Sequence, residues 1–313
     1  MCCSDAPFIA AATRAPESPV PDEPVLCITN VQRFSLHDGG GIRSVAFTKG
    51  CPFRCPWCCN PENLSFEPQV CWHERLCLGC SVRADGRRDA NGAPCDTAPE
   101  RCPAAAKELL GKRHSVGALA SELLRDLPFF EESGGGVTVS GGECLAGASR
   151  QRAVLALLEA CHAGGASTAL ETTLATQLAV SGERLVGACD AFLVDFKIAD
   201  RERSLAVTGI DPCVRDANLA RVIAAGGNVV ARMPIIPSFT DDDACVRANA
   251  RRAIELGIRR ADVLPFHQLG ESKYASVGRA YELADVPQLS EEDAYRAAEL
   301  VRAEGLEVVV RGE

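Results

Sequence analysis

The chain has 313 residues, 47% of them hydrophobic, enough for one large α/β domain or two smaller ones. A formal charge of −9 without a long basic block excludes the phosphate-binding face of a nucleic-acid protein. No apolar run reaches the roughly 18 residues of a membrane span, and no secretory leader pattern opens the chain, so a cytoplasmic location is expected. In a reducing compartment, 17 cysteines, an odd number, point to metal ligation or buried thiols over disulfides.

In chain order, residues 1–24 read as a flexible leader, with four prolines among small polar residues up to Glu23. Cys2 and Cys3 within it are expected to be loose thiols. Residues 25–66 begin the folded chain. There Ser44–Thr48, rich in β-formers, runs into a C-x3-C-x2-C loop formed by Cys51, Cys55 and Cys58. Thiols so placed lie at the carboxyl end of a strand, where parallel α/β folds gather ligands. Three thiolates on a cubane cluster leave one iron open to a non-protein ligand; half of a zinc site is the competing reading.

Residues 67–112 break the pattern. Cys71, Cys77, Cys80, Cys95 and Cys102 lie among charges and the turn pairs Asp85-Gly86 and Asn91-Gly92, as in a small insert held together by metal. Over residues 113–313 strands and helices alternate. Strands are predicted at Gly136–Val139, Ser167–Leu170, Ala191–Val194, Asn228–Met233, Ala261–Leu264 and Leu306–Val310, with helices at Arg150–Ala163, Asn218–Ala225, Asp242–Leu256 and Ser290–Glu304. Strand-then-helix repetition means a parallel sheet and a full or partial barrel. Cys27, Cys161, Cys189, Cys213 and Cys245 read as buried or neutral surface thiols.

Five segments together resemble the glycyl-radical-enzyme activating enzymes of the radical S-adenosylmethionine (SAM) superfamily. They are Asp38–Ser44, the cysteine loop with Asn60-Pro61-Glu62, Gly136–Glu143, Asp195-Phe196-Lys197, and Leu264–Tyr274, and the resemblance spans about Ile28 to Val310. It implies a partial (β/α)6 TIM-like barrel with a ferredoxin-like cysteine-rich insert. It also implies an oxidoreductase that cleaves SAM reductively to a 5'-deoxyadenosyl radical and takes hydrogen from a glycine near the C-terminus of a partner enzyme. A flavodoxin or ferredoxin is the implied electron donor.

Carried over residue by residue, the resemblance puts a 4Fe-4S cluster on Cys51, Cys55 and Cys58 and SAM beside it. Trp57 and His267 are then expected near the adenosyl group, Gly142 at the SAM amino group, and Asp195, Phe196 and Lys197 at methionine and ribose. Glu171 and Thr172 become candidates for a monovalent cation site, and Arg232 points to the same end. Cys59 stands where the family usually has His or Ser; its backbone is expected at the SAM pocket. Cys144 replaces the family's usual proline or small residue.

Family inserts carry clusters, and a cysteine followed by proline usually ends such a run, so a second 4Fe-4S cluster is expected on Cys77, Cys80, Cys95 and Cys102, with Cys71 in reserve. The usual spacing is stretched, and zinc on the same four thiolates is the alternative. Two other classes compete with the activase: a radical SAM enzyme acting on a small molecule, and a non-catalytic zinc or iron-sulphur protein.

Overall fold

A computed structural model describes residues 23–310; most of the anticipated leader, with Cys2 and Cys3, lies outside the described residues. Glu23 and Pro24 already belong to the fold, Glu23 accepting from Gly117 N at 2.6 Å and Pro24 O from Val116 N at 3.0 Å.

The chain opens with β1 (Val25–Ser35) and β2 (Arg43–Thr48), then the cysteine loop. Within the insert, β3 (Gln69–Trp72) and β4 (Lys107–Leu110) form a separate antiparallel pair. After β5 (Lys112–Ser115) come α1 (Val116–Leu123), α2 (Leu127–Ser133), β6 (Gly136–Gly141), α3 (Ala148–Ala163), β7 (Ser167–Thr172), α4 (Gly182–Ala188) and β8 (Ala191–Asp195). The last third holds α5 (Arg201–Thr208), α6 (Pro212–Ala224), β9 (Val229–Ile235), α7 (Asp243–Glu255), β10 (Arg260–Pro265), α8 (Glu271–Ser276), α9 (Glu291–Ala303) and β11 (Glu307–Val310).

Nine strands form one sheet in the order β11-β10-β9-β8-β7-β6-β2-β1-β5. From β11 to β2 every pairing is parallel, whereas β1 runs antiparallel to both β2 and β5. The sheet does not close; β5 and β11 are its two edges. The parallel strands β2 and β6–β10 are buried along most of their length, as strands covered on both faces are, with Val137, Val139, Phe192, Val194 and Val263 fully buried.

Helix starts follow local chemistry. Ser115, Ser181, Asp200, Asp211, Asp242 and Ser290 each accept a backbone N–H with the side chain at the start of α1, α4, α5, α6, α7 and α9, satisfying donors that have no intrahelical partner. One large core joins strands and helices; a smaller apolar cluster of Trp57, Ile198, Ile236, Phe266 and Leu283 draws on segments that follow β2, β8, β9 and β10.

Candidate functional site

Each parallel strand from β2 to β10 ends at the same place, and the chain turns there with chemically equipped residues. A cavity of about 710 Å³ at these carboxyl ends is lined by Cys51, Cys55 and Cys58 after β2, Gly142 after β6, Glu171 and Thr172 on β7, Asp195 and Lys197 at β8, Arg232 on β9 and His267 after β10. Trp57 and Cys59 line it as well. Trp57 is also packed into the smaller apolar cluster, 5.3 Å from the Phe239 ring between centroids, so it serves both core and cavity wall.

Phe196 departs from expectation. It does not line the cavity: strand alternation turns it into the main core, fully buried, with the Arg215 guanidinium 4.0 Å from its ring centroid. Its neighbours face the opposite way and meet, Lys197 Nζ donating to Asp195 Oδ2 at 2.8 Å. Burial works to lower the Lys197 pKa, but the Asp195 carboxylate and the Cys55 thiol outweigh it and hold the ammonium firmly charged.

The cysteine loop is fastened from several sides. Arg150 on α3 donates to Gly50 O at 2.8 Å, Glu143 O at 3.1 Å and Lys49 O at 2.5 Å. Lys273 on α8 reaches Cys59 O at 3.2 Å, Asn60 Oδ1 at 2.9 Å and Glu62 Oε1 at 2.9 Å, while the Tyr274 hydroxyl donates to Cys58 O at 2.8 Å. The glycine loop after β6 lies hard against it. A Cβ on Gly142 would sit 2.3 Å from Gly50 O, and Gly141 has φ +109°, so glycine is required at both positions. Burial raises all three loop thiols, Cys51 to about 11, so metal uptake must displace protons from them.

Sequence reasoning passed over Glu143 as a functional residue. Its buried carboxylate accepts from Thr172 Oγ1 at 2.6 Å, Thr173 N at 2.9 Å, Thr173 Oγ1 at 2.6 Å and Leu145 N at 3.0 Å, bracing the glycine loop against the end of β7. Cys144 adds a thiol donated to Glu171 O at 3.0 Å. At Glu171, burial raises the pKa while Arg232 opposes it; Ser140 donates to this carboxylate and Arg232 lies 3.5 Å away. Arg232 also donates to His37 O at 3.0 Å and lies 3.9 Å from Asp262, yet its buried Nε has no hydrogen-bond partner among the described residues. His267 is pushed below its ordinary value, by burial first and then by Lys273, leaving the ring neutral at pH 7.

In the insert, Cys77, Cys80, Cys95 and Cys102 line one small second pocket, with Trp72 and Lys107 in its wall; Cys71 does not face it. The buried Trp72 Nε1 is without an acceptor among the described residues, a donor available to sulphur. Lys107 Nζ donates to Cys95 O at 2.6 Å, tying β4 to the third of these cysteines. Of the remaining cysteines, Cys161, Cys189 and Cys245 are buried, Cys27 is half-buried and Cys213 is exposed.

Residues 37–210 match the family described as a 4Fe-4S single cluster domain. The chain is 38% identical over 290 residues to the pyruvate formate-lyase 2-activating enzyme of Escherichia coli (strain K12), covering 91% of this chain and 92% of that one. It is 35% identical over 308 residues to the benzylsuccinate synthase activating enzyme of Thauera aromatica, again 91% and 92%. With the choline trimethylamine-lyase activating enzyme of Oleidesulfovibrio alaskensis the identity is 32% over 298 residues, covering 88% and 94%. Among solved structures, Streptococcus suis SuiB bound to precursor peptide SuiA superposes with a TM-score of 0.50 at 15% identity, over 86% of this chain and 48% of that one, a likeness of fold. No helix among the described residues is long and apolar enough to cross a membrane. Iron-sulphur and SAM chemistry therefore come with the family: the chain belongs to the glycyl-radical-enzyme activating enzymes of the radical SAM superfamily.

Proposed function

We propose that Cys51, Cys55 and Cys58 hold a 4Fe-4S cluster and that Gly142, Asp195, Lys197, Arg232 and His267 receive SAM beside it. Bound there, the pair supplies one-electron reductive cleavage of SAM to methionine and a 5'-deoxyadenosyl radical, which takes a hydrogen atom from a glycine of a partner glycyl radical enzyme. Convergence of three thiols, a charged Asp195–Lys197 pair and Arg232 on one cavity is the observation that carries this assignment.

The chain's own residues orient and exclude. Lys273 and Tyr274 hold the backbone that carries Cys58, Arg150 holds its other end, and Glu143 keeps the glycine loop in register with β7. Hydrogen abstraction requires closeness and dryness, not an acid or base, and the apolar cluster around Trp57 and Phe266 serves that end. The parallel strands β2, β6, β7, β8, β9 and β10, with the carboxyl ends gathered around one cavity and the sheet left open, favour a partial (β/α)6 barrel whose gap admits a protein loop.

The insert, taken as residues 67–112 between the barrel segments 25–66 and 113–313, would hold the second 4Fe-4S cluster on its four pocket-lining cysteines. A flavodoxin or ferredoxin would deliver the electron. A monovalent cation beside Glu171 and Thr172 would have to share the Glu171 carboxylate with Ser140 and Arg232.

The test is an anaerobic incubation of reduced, cluster-reconstituted protein with SAM and a candidate glycyl radical enzyme. An organic radical on the partner by paramagnetic resonance, with matching 5'-deoxyadenosine, is expected. Nucleoside release without a protein radical for any candidate would favour a small-molecule substrate, and zinc in both sites with no SAM cleavage would end the proposal.

A further inference from the structure

The insert's hairpin has two faces, and strand alternation equips them differently. Trp72 and Lys107, a register pair, face the four-thiol pocket. Cys71 and Glu108, the next register pair, must therefore project from the other face, and His73, two residues beyond Cys71, joins them. The backbone ladder extends far enough to fix that histidine, since His73 N donates to Ala106 O at 2.7 Å.

On this second face the ligand atoms of Cys71, His73 and Glu108 all lie within 4.8 Å of one another. Cys71 Sγ is 3.4 Å from His73 Nε2, and His73 Nε2 is 3.9 Å from Glu108 Oε2. Donors around a tetrahedral zinc, with metal bonds of about 2.0 to 2.3 Å, stand about 3.3 to 3.7 Å apart, so the Cys71–His73 and His73–Glu108 pairs need only a few tenths of an ångström of adjustment, and the Cys71–Glu108 pair, within 4.8 Å, closes by about 1.3 Å at most. We propose that Cys71, His73 and Glu108 bind one zinc ion on the outer face of the β3–β4 hairpin.

The donor set selects the metal. One thiolate, one imidazole and one carboxylate suit zinc's borderline character and cannot support an iron-sulphur cluster, which asks for several thiolates. Cys71 is fully buried, whereas the His73 and Glu108 side chains are about half exposed, so the ion enters from solvent on their side and water completes the tetrahedron. Clamping Cys71 to Glu108 ties β3 to β4 directly behind the residues that wall the four-thiol pocket. The zinc thereby stiffens the frame of the insert, whatever that pocket holds.

Full-length protein, reconstituted anaerobically with iron and sulphide and stripped of loose metal on chelating resin, is given one equivalent of zinc sulfate and gel-filtered. Zinc and iron are counted by mass spectrometry, and the zinc shell is read by X-ray absorption. About one zinc per chain is expected, with a single sulphur at about 2.3 Å and lighter atoms at about 2.0 Å. His73→Ala and Cys71→Ser should each weaken zinc retention by more than about tenfold, since even outer-shell partners of metal ligands cost that much. Iron in His73→Ala should stay at the wild-type level, and because the His73 side chain is about half exposed this variant decides the matter even if Cys71→Ser fails to fold. No retained zinc, a four-sulphur shell, or unchanged uptake in His73→Ala would overturn the proposal.

Discussion

Glu143 illustrates how a residue inside a recognised motif can act without touching a ligand. Its four accepted hydrogen bonds make it a brace, so Glu143→Gln, which turns an acceptor into a donor facing donors, should destabilise the folded chain by about 1–3 kcal/mol. An anaerobic urea midpoint reads this directly. His267 supports a prediction of the opposite kind. Its folded pKa lies below the ordinary value, so it is neutral at pH 7 and gains charge only as pH falls through that lowered value. SAM cleavage should show no inflection from His267 between pH 7 and 8.5; an inflection in that window that vanished in His267→Asn would refute it. At this scale the sequence disclosed chemical types well and directions less well. Asp195 and Lys197 follow from alternation, but the same alternation sends Phe196 into the core, a consequence overlooked when all three were taken together. Glu143 could have been found from a carboxylate beside a Gly-Gly pair, but its partners Thr172 and Thr173 lie about 30 residues on, and only β6–β7 pairing joins them.

Among the elements, α8 matters beyond its size. It is six residues long, yet Lys273 and Tyr274 on it hold the backbone at Cys58 and Cys59. Lys273→Met removes three charged hydrogen bonds and should weaken SAM binding about tenfold while leaving iron content intact, as isothermal titration of the reconstituted protein can measure. The glycine loop is less forgiving. Gly142→Ala drives a methyl group into Gly50 O, and the displaced cysteine loop should cost about a hundredfold in the rate of 5'-deoxyadenosine release. Apolar periodicity revealed the long elements: α3, α7 and α9 begin and end within about two residues of expectation. It was silent for α5, where only the polar Ser204 and Thr208 are buried, and α8 is too short to show a period. The early start of α6 was written in Asp211-Pro212, a cap followed by a first-turn proline, and was missed because the apolar stripe starts later.

For the whole molecule, the strand–helix alternation and the place of the cysteine loop at a strand's carboxyl end were legible because each rests on local pattern, whereas Gly142, Asp195, Lys197 and His267 were joined to that loop only through the family resemblance. The sheet order, the antiparallel β1 and β5 and the β3–β4 register were not, since they depend on contacts between distant segments. Cys71 was therefore grouped with the other insert cysteines by proximity in sequence, although it lies on the far side of the hairpin. If the four-thiol pocket carries the second cluster, Cys95→Ser should remove about four of about eight irons per chain. SAM cleavage driven by dithionite should then survive, and cleavage driven by a protein donor should slow; iron analysis with the two assays separates an electron relay from a purely structural cluster.

The hydrogen bond from Tyr274 to the Cys58 carbonyl spans 216 positions. On a ribosome adding about 5–20 residues per second, the cysteine loop emerges roughly ten to forty seconds before the segment that fastens it. For that interval three thiols sit on a nascent chain that has no closed pocket, open to oxidation and to whatever metal is nearby. Cluster delivery to this protein is therefore expected after translation, once the segment that carries Tyr274 has emerged and closed over the cysteine loop.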